Sequence, residues 1–391
     1  MTLPRSALKR RISLALESSP PRVPVIVGGC GSGRTTLLRA IERLAAHAPS
    51  QYIDVERSAT TPERFLRAIS GGSSFLWKDA GRVPDSPREA FDRTLGFLTS
   101  ATGPRGETVT FLLDEVLELK IFESFPGLRH AMPELVRALA ASRNRFVLAT
   151  RFASRALRLL GDIAARSLVL PIPPLTADEV REALDTEAAE PGPGRVDRRP
   201  DQIEIASNIH ALSDGRPVYL KAIAEALIQM EAHGGADPVS ALTALFAPQG
   251  RLAARCGRSY ELRLHRARGY GALKAILEIL AQEQPLTLTE ISLRLRRTPG
   301  STKDYLSWLE DVDLVGMERK RYSFVDPLLR LWVRLYCRPV PPSDEDVARE
   351  VQCYALARLP RLGAAEPTTA RPGGNASKPS EDRSGGRPKP A

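Results

Sequence analysis

The sequence predicts an α/β fold, in which a parallel sheet is covered by helices, followed by a helical lid and a C-terminal winged-helix domain. Three observations predict it. Apolar segments alternate with amphipathic helical patterns over residues 1–173, which is typical of a parallel sheet buried on both faces. A glycine-rich loop joins the first apolar segment to a helix. Residues 271–325 are predicted to form three helices and two short strands around a basic turn, the order of a winged helix-turn-helix.

Five apolar segments are predicted to form the strands of the sheet. They are residues 23–27, 51–55, 108–113, 145–149 and 167–172. Helices are predicted between them. One helix is expected to open at Thr61, because Thr suits the N-cap and Pro62 suits the first turn, and another is expected over 127–142.

A chain of 391 residues exceeds what one hydrophobic core usually contains, so several domains are expected. A capping pattern at Thr176 and Glu179 marks the start of the lid, and the last residues have the Pro, Gly, Ser and charged composition of disordered chains. The predicted segments are a core at 1–173, a lid at 174–235, a linker at 236–265, a winged helix-turn-helix at 266–340, a C-terminal helix at 341–363 and a disordered tail at 364–391.

The charge, the cysteines and the lengths of the apolar runs indicate which kinds of partner the protein could have. The formal net charge of +10 favours a polyanionic partner, although most of the basic residues are arginine and a GC-rich genome would produce the same excess. The four cysteines are far apart and indicate neither disulfides nor a zinc site. No apolar run reaches the roughly 18 residues of a membrane helix, and the N-terminus lacks a signal-peptide pattern. We therefore expect a cytoplasmic protein with no membrane partner.

The glycine-rich segment has the spacing of a phosphate-binding loop at every position except the lysine. Glycines are needed there because backbone N–H groups wrap closely around a phosphate while a helix N-terminus faces the same anion. Thr35 is predicted to ligate Mg²⁺ and Thr36 to face the α-phosphate. The predicted nucleotide-binding residues of this segment are Gly28, Gly29, Cys30, Gly31, Ser32, Gly33, Arg34, Thr35 and Thr36. Cys30 is either a small loop-filling residue or a readily oxidised thiol.

Arg34 stands where a phosphate-binding loop carries lysine. Lysine places a compact ammonium between phosphates, whereas arginine is longer, planar and forked, so the two residues do not occupy the same point. Arg34 keeps the positive charge and is predicted to be catalytic, but the exchange predicts altered nucleotide affinity or slower hydrolysis.

The ends of two predicted strands supply the other half of the site. Asp114 is predicted to hold Mg²⁺, and Glu115 to orient the attacking water. At the next strand end, Thr150 either hydrogen-bonds the γ-phosphate or the water, or merely ends a strand. Arg151 is either a charge sensor or an exposed arginine. Arg216 is a candidate for reaching the nucleotide from the lid.

These motifs together resemble the P-loop ATPases of the AAA+ and STAND group, in particular the archaeal-type ATPase branch with a C-terminal winged helix. The likeness covers residues 20–340 and rests on GGCGSGRTT, FLLDEV, LATR, LPIPPLTADEV, SDGRP and YSFVDPLLRLWVRLY, in that order. It implies an ATPase core with ATP and Mg²⁺, a lid whose Gly215-x-Pro217 contacts the nucleotide region, and a winged helix packed against both. It also implies that the ATP state sets the domain arrangement.

A winged helix either reads DNA or contacts protein. The third helix of this one is predicted at Ser301–Val312 and carries Lys303 beside Asp304, Glu310 and Asp311, which is poor for base readout. Basic residues that would contact DNA phosphates occur in the preceding helix and the wing. They are Arg294, Arg296, Arg297, Arg319, Lys320 and Arg321.

Three hypotheses follow. The first is an ATP-binding protein and slow Mg²⁺-dependent ATPase, acting as a switch that repositions the winged helix, with a protein partner or self-association. The second is an ATP-dependent DNA-binding protein resembling origin-recognition initiators. The third is a nucleotide-binding scaffold that has lost turnover through Arg34.

Overall fold

The structure is a computed structural model that describes residues 5–44, 49–79, 81–163, 165–188, 200–231, 237–265, 267 and 269–359. The predicted disordered tail at 364–391 lies outside these residues. Within them, no helix is both long enough and apolar enough to cross a membrane.

A five-stranded parallel sheet forms the centre of the N-terminal half. Its strands are β1 (Val23–Val27), β2 (Ser50–Asp54), β3 (Thr110–Asp114), β4 (Arg145–Thr150) and β5 (Ser167–Pro171). Their order is β2-β3-β4-β1-β5, and each neighbouring pair is parallel. All five predicted strands are therefore present, and the predicted parallel sheet is confirmed.

Helices cover both faces of the sheet. They are α1 (Ser6–Glu17), α2 (Arg34–Leu44), α3 (Val55–Ser58), α4 (Pro62–Ser70), α5 (Pro87–Ser100), α6 (Ala131–Ala141) and α7 (Ala153–Leu159). Because side chains alternate along a strand, Ile26 and Leu112 pack under α1 and α2 in one buried cluster, whereas Val25 and Phe111 join a second cluster on the other face. This double burial explains why the strands are apolar throughout.

Local helix signals in the sequence are found where they were predicted. The Thr61 side chain accepts a hydrogen bond from the backbone N–H of Arg64 and caps α4, with Pro62 in the first turn. Thr176 and Glu179 exchange side-chain and backbone hydrogen bonds at 3.2 and 3.0 Å. The helix predicted over 127–142 begins at Ala131, after a 3₁₀ segment at Val116–Ser124.

The chain becomes helical after β5. The next helices are α8 (Ala177–Ala188), α9 (Pro200–Ser213), α10 (Pro217–Glu231), α11 (Pro238–Phe246) and α12 (Arg251–Leu264). The last two lie in the stretch predicted as a linker, for which the Arg-rich sequence indicated no helix. Leu252, Cys256, Tyr260 and Leu264 are buried, and their four-residue spacing forms the packed stripe of α12.

Residues 270–336, called the third unit below, contain three helices, a small antiparallel sheet and a closing helix. These are α13 (Tyr270–Gln282), β6 (Leu286–Thr287), α14 (Leu288–Leu295), α15 (Pro299–Asp311), β7 (Val315–Glu318), β8 (Arg321–Phe324) and α16 (Pro327–Tyr336), before α17 (Asp344–Leu356). The sheet order is β6-β8-β7. The predicted helices and two strands are present, and β6 adds a third strand.

One buried cluster connects the helices that follow the sheet. It runs from Leu175 through α9–α13 and the third unit to Ala355. The cluster continues past residues 235 and 265, so the predicted segment boundaries at those positions do not coincide with separate hydrophobic cores.

Candidate phosphate-binding site at the edge of the sheet

The glycine loop, residues 28–33, joins the end of β1 to the start of α2. Gly31 and Gly33 have φ angles of 80° and 90°, a left-handed conformation in which a side chain would be strained. A Cβ on Gly31 would also lie 2.2 Å from Val218 of α10. The loop therefore needs glycine both for its backbone path and for its contact with the lid, and the N-terminus of α2 opens into it.

Asp114 lies at the carboxyl end of β3, beside the loop. The Thr35 hydroxyl donates to Asp114 Oδ2 at 2.6 Å, and the Tyr52 hydroxyl donates to the same oxygen at 2.9 Å. Asp114 Oδ1 is buried, and among the described residues it has no hydrogen-bond partner. A carboxylate oxygen without a partner beside a threonine hydroxyl fits a hard cation such as Mg²⁺, which prefers oxygen ligands.

Tyr52 was not identified from the sequence, although it lies on a predicted strand. Burial and the neighbouring Asp114 raise the pKa of its hydroxyl well above the usual range, so it remains a donor at neutral pH. The Arg39 guanidinium lies 3.5 Å from the centre of the Tyr52 ring, which fixes the ring by a cation–π contact.

The Arg34 side chain is buried and turns back over the loop. Its Nη1 donates to the backbone oxygen of Gly29 at 2.7 Å, and its Nη2 donates to Glu115 Oε1 in a short ion pair. Two of the three residues predicted to be catalytic, Arg34 and Glu115, therefore contact each other directly.

Glu115 is also engaged at its second oxygen. Oε2 accepts a hydrogen bond from the backbone N–H of Arg151 at 3.1 Å and lies 3.2 Å from Arg151 Nε. Arg151 in turn lies 2.7 Å from Glu56. Burial alone would lower the pKa of Arg151, but Glu115 and Glu56 outweigh burial and raise it. Arg151 is thus a paired and largely buried residue, so the reading of an exposed arginine is not supported by its position.

Thr150 ends β4 beside the first residue of the loop. Its side chain is buried and accepts a hydrogen bond from the backbone N–H of Phe152 at 3.2 Å, and its carbonyl accepts one from Gly28 at 3.4 Å. The hydroxyl thus bonds within its own turn, and the contact with the loop is made by the Thr150 carbonyl.

The lid contacts the loop at the start of α10. The backbone N–H of Val218 donates to Gly31 O at 3.4 Å. Gly215, with φ of 61°, has no room for a side chain because a Cβ would lie 2.4 Å from Leu175 O. The turn before Pro217 is therefore packed closely against Leu175, which follows β5 in the chain.

Arg216 connects the lid to the third unit. Its Nη2 donates to Val325 O at 2.5 Å, its Nη1 lies 3.6 Å from Asp326 Oδ2, and its Nε lies 3.7 Å from Asp214 Oδ2. A Cβ on Gly29 would lie 3.4 Å from Arg216 Nη1. Arg216 is thus close to the glycine loop while its polar contacts lie with residues 214, 325 and 326.

A cleft of about 420 Å³ lies between the loop and the lid. The loop side is residues 30–36, and the remaining lining residues come from five other segments. They are Glu56, Glu115, Arg151, Pro217, Val218, Lys221 and Arg255. Lys221 and Arg255 were missed by the sequence analysis. Lys221 follows Pro217 by one helical turn on α10, which is a usable signal, whereas nothing local marked Arg255.

The architecture and this site define a P-loop ATPase fold. One solved structure that it resembles is a Walker-type ATPase of Pyrococcus abyssi, at a TM-score of 0.62 and 18% identity, covering 85% of this chain and 96% of that chain. At this identity the likeness shows the fold alone.

Two further solved structures match at lower scores. One is the Orc1 protein of Aeropyrum pernix in complex with DNA, at a TM-score of 0.45 and 20% identity, covering 89% of this chain and 94% of that chain. The other is the RuvB Holliday junction branch migration motor of Thermotoga maritima, at a TM-score of 0.43 and 14% identity, covering 87% of this chain and 96% of that chain. No family model matches the sequence, and no curated protein matches it.

Proposed function

We propose that the chain binds ATP and Mg²⁺ at the glycine loop and acts as a slow ATPase whose nucleotide state repositions the third unit, a winged helix. The proposal rests on one observation: the glycine loop, the Thr35–Asp114 pair and Glu115 lie together at one edge of the sheet. In P-loop chemistry, positioning and charge stabilisation provide most of the catalysis.

The phosphates would be held by the loop and the N-terminus of α2. Backbone N–H groups and the helix dipole both favour an anion there. Lys221 and Arg255 line the opposite side of the cleft and would add positive charge that compensates for the missing lysine. Their contribution would be electrostatic attraction rather than a fixed contact, since both side chains are exposed.

Thr35 and Asp114 would hold Mg²⁺, which neutralises charge on the phosphate oxygens when bound. The unpartnered Asp114 Oδ1 supports this assignment. Within the described part of the chain, no group of three or more His, Cys, Asp or Glu side chains is arranged to hold a metal ion. The remaining ligands would therefore come from phosphate and water, as is usual for Mg²⁺.

Glu115 would orient the attacking water, but only after it leaves Arg34. Both of its oxygens are engaged by guanidinium or backbone donors. A phosphate group offers Arg34 an alternative, bidentate anionic partner. Turnover would thus be slow because it requires the Arg34 pair to open first.

The lid provides the connection to the third unit. Val218 contacts the loop, and Arg216, two residues earlier, contacts Val325 and Asp326. A ligand shifts such an arrangement only by binding one state more tightly than the other. A nucleotide in the cleft would meet that requirement, because residues of both the loop and the lid line the cleft and its shape changes when they move relative to each other.

The test is a titration of the full chain with a fluorescent ATP analogue, with and without Mg²⁺, for the wild type, Thr35→Ala and the exposed control Asp304→Asn. We expect Mg²⁺-dependent binding that Thr35→Ala weakens and Asp304→Asn leaves unchanged. Equal binding by all three proteins without any effect of Mg²⁺ would contradict the proposal.

Phosphate release then separates the ATPase from the scaffold without turnover. We expect the wild type to release phosphate faster than Glu115→Gln. If both proteins release it at the same background rate, the site binds nucleotide without turnover and the scaffold hypothesis replaces the ATPase.

DNA binding is the second candidate, and one surface of the third unit favours it. Arg296 and Arg297 at the end of α14 and Arg319 and Lys320 in the turn between β7 and β8 are all exposed. Such residues would contact phosphates without reading sequence. Duplex DNA binding measured at two salt concentrations tests it, because affinity must fall steeply as salt rises. No binding at low salt would eliminate this candidate.

A further inference from the structure

The third unit places a carboxylate directly on the glycine loop. Asp313 follows α15 in a left-handed conformation, with φ of 58°. Its Oδ2 lies 2.7 Å from the point that a Cβ on Gly29 would occupy. Any side chain at residue 29 would therefore collide with the third unit, and the contact exists because residue 29 is glycine.

Asp313 faces the positive charges of Arg263, Arg216 and Arg34 and the negative charge of Asp326. Arg263 donates to the backbone oxygen of Asp313 at 2.8 Å, Arg216 donates to Val325 O, and Arg34 donates to Glu115. Burial raises the pKa of the Asp313 carboxyl, and the charges of the three arginines only partly oppose this effect. The carboxyl group thus lies against the loop in a position where burial outweighs the neighbouring positive charges.

Contacts other than the carboxylate hold α15 in place. Asp311, at the end of α15, lies 2.8 Å from Arg158 Nη2 and 3.8 Å from Arg155 Nε, both on α7. The Arg263 bond to the Asp313 backbone fixes the turn that follows. Replacing the Asp313 side chain would therefore change the charge at the loop while leaving the docking contacts intact.

We propose that Asp313 is the residue that senses phosphate charge in the glycine loop and transmits it to the third unit, so that a nucleoside triphosphate and the docked position of α15 exclude each other. The inference rests on the proposed function, because it assumes that the loop binds phosphates. It adds a coupling residue that lies outside the predicted site and comes from the C-terminal half of the chain.

The physical basis is repulsion between like charges. Two unit charges at contact distance near a protein surface interact far more strongly than in bulk water. A phosphate chain in the loop would raise the cost of an ionised Asp313 beside it, and withdrawal of α15 from Gly29 relieves that cost. The docked state then binds phosphates more weakly than the undocked state, which is the differential affinity that coupling requires.

The experiment compares the full-length wild type with Asp313→Asn, Asp313→Glu and Asp304→Asn. Asp304 is an exposed acid on the same helix and controls for net charge, while Asp313→Glu keeps the charge. We expect Asp313→Asn to bind ATP about tenfold more tightly than the wild type. The two other variants should stay within about twofold of it.

Hydrogen exchange of α15 and the glycine loop, with and without ATP, provides the second measurement. ATP should increase exchange at the end of α15 in the wild type and Asp304→Asn, and this increase should be absent in Asp313→Asn. Equal ATP affinity in Asp313→Asn and the wild type, or an undiminished ATP response in Asp313→Asn, would overturn the inference.

The ATP titrations distinguish failure of the proposed ATP-binding function from failure of the role of Asp313. If none of the four proteins binds ATP, the proposed function fails and this inference fails with it. If all four bind ATP with the same affinity, the proposed function stands and only the role of Asp313 is wrong. Binding by Asp313→Asn alone would support both.

Discussion

Arg34 and Glu115 form a buried ion pair that joins the first residue of α2 to the end of β3. The sequence predicts these residues to be the phosphate-binding cation and the water-orienting acid, and in this structure they are paired with each other. The pair depends on arginine, because the forked guanidinium donates to Gly29 and Glu115 at the same time.

Replacing Arg34 by lysine is expected to increase turnover. An ammonium on a shorter stem makes no such two-point bridge, so Glu115 is released for the water. We predict a rise in kcat for ATP hydrolysis of roughly ten- to hundredfold, which is within the range of a positioned acid or base. Steady-state phosphate release measures it, with Arg43→Lys, an exposed residue at the end of the same helix, as the control. An unchanged or lower kcat in Arg34→Lys would show that the pair does not restrain catalysis.

Tyr52→Phe is expected to weaken Mg²⁺ dependence specifically. The variant removes the hydroxyl that donates to Asp114, and losing such an outer hydrogen bond typically costs a metal site about tenfold in affinity. The measurement is the Mg²⁺ concentration that gives half-maximal ATP binding. Tyr270→Phe is a matched control, because Tyr270 also donates to a carboxylate, Glu261, but far from the site. The same shift in both variants would contradict the role of Tyr52.

Asp313→Asn is expected to make the chain more stable at neutral pH, and the gain should shrink in acid. Burial raises the pKa of Asp313 in the folded protein, so the folded state holds this proton more tightly than the unfolded state. Protonated Asp313 therefore stabilises the folded protein at low pH, and this stabilisation is lost as the pH rises through the raised pKa. Denaturant unfolding of the wild type and Asp313→Asn from pH 4 to 7 measures the difference. A difference that does not vary with pH would be inconsistent with the raised pKa.

Asp326→Ala is expected to lower the free energy of unfolding by about 3–5 kcal/mol, as for breaking a buried charge pair. Asp326 is buried, accepts a hydrogen bond from the Tyr219 hydroxyl at 2.6 Å, and caps α16 through the backbone N–H groups of Leu328 and Leu329. The control is Asp237→Ala, an exposed cap of α11, with an expected loss of about 1 kcal/mol. Equal losses in the two variants would mean that the buried contacts of Asp326 add nothing to its capping role.

The sequence predicted what depends on local patterns. The strands, the glycine loop and the caps at Thr61 and Thr176 are each encoded within a few neighbouring residues, so apolar runs and spacing were enough. Asp114 and Thr35 were predicted as neighbours because parallel strands end at one edge of a sheet, and the bond between them agrees with that argument.

Contacts between residues far apart in the sequence could not be predicted from local patterns. No local signal links Arg34 to Glu115 as a pair rather than as two separate groups, and none places Asp313 against Gly29. The acidic end of α15 was interpreted only as unfavourable for DNA, whereas Asp311 and Asp313 both contact the sheet half of the chain. The helix α12 was missed because arginines obscure its apolar stripe, and α11 was missed although its sequence contains no arginine.

The single buried cluster from Leu175 to Ala355 has a mechanical consequence. Helices that share one core cannot slide past each other without exposing it, so we expect the predicted lid and the third unit to move together. The chain passes from β5 into these helices through the proline-rich segment 171–174. Proline fixes the φ angle, so the backbone of this segment has few accessible conformations. Widening of the cleft at Pro217 and withdrawal of Asp313 from Gly29 would then be parts of one movement.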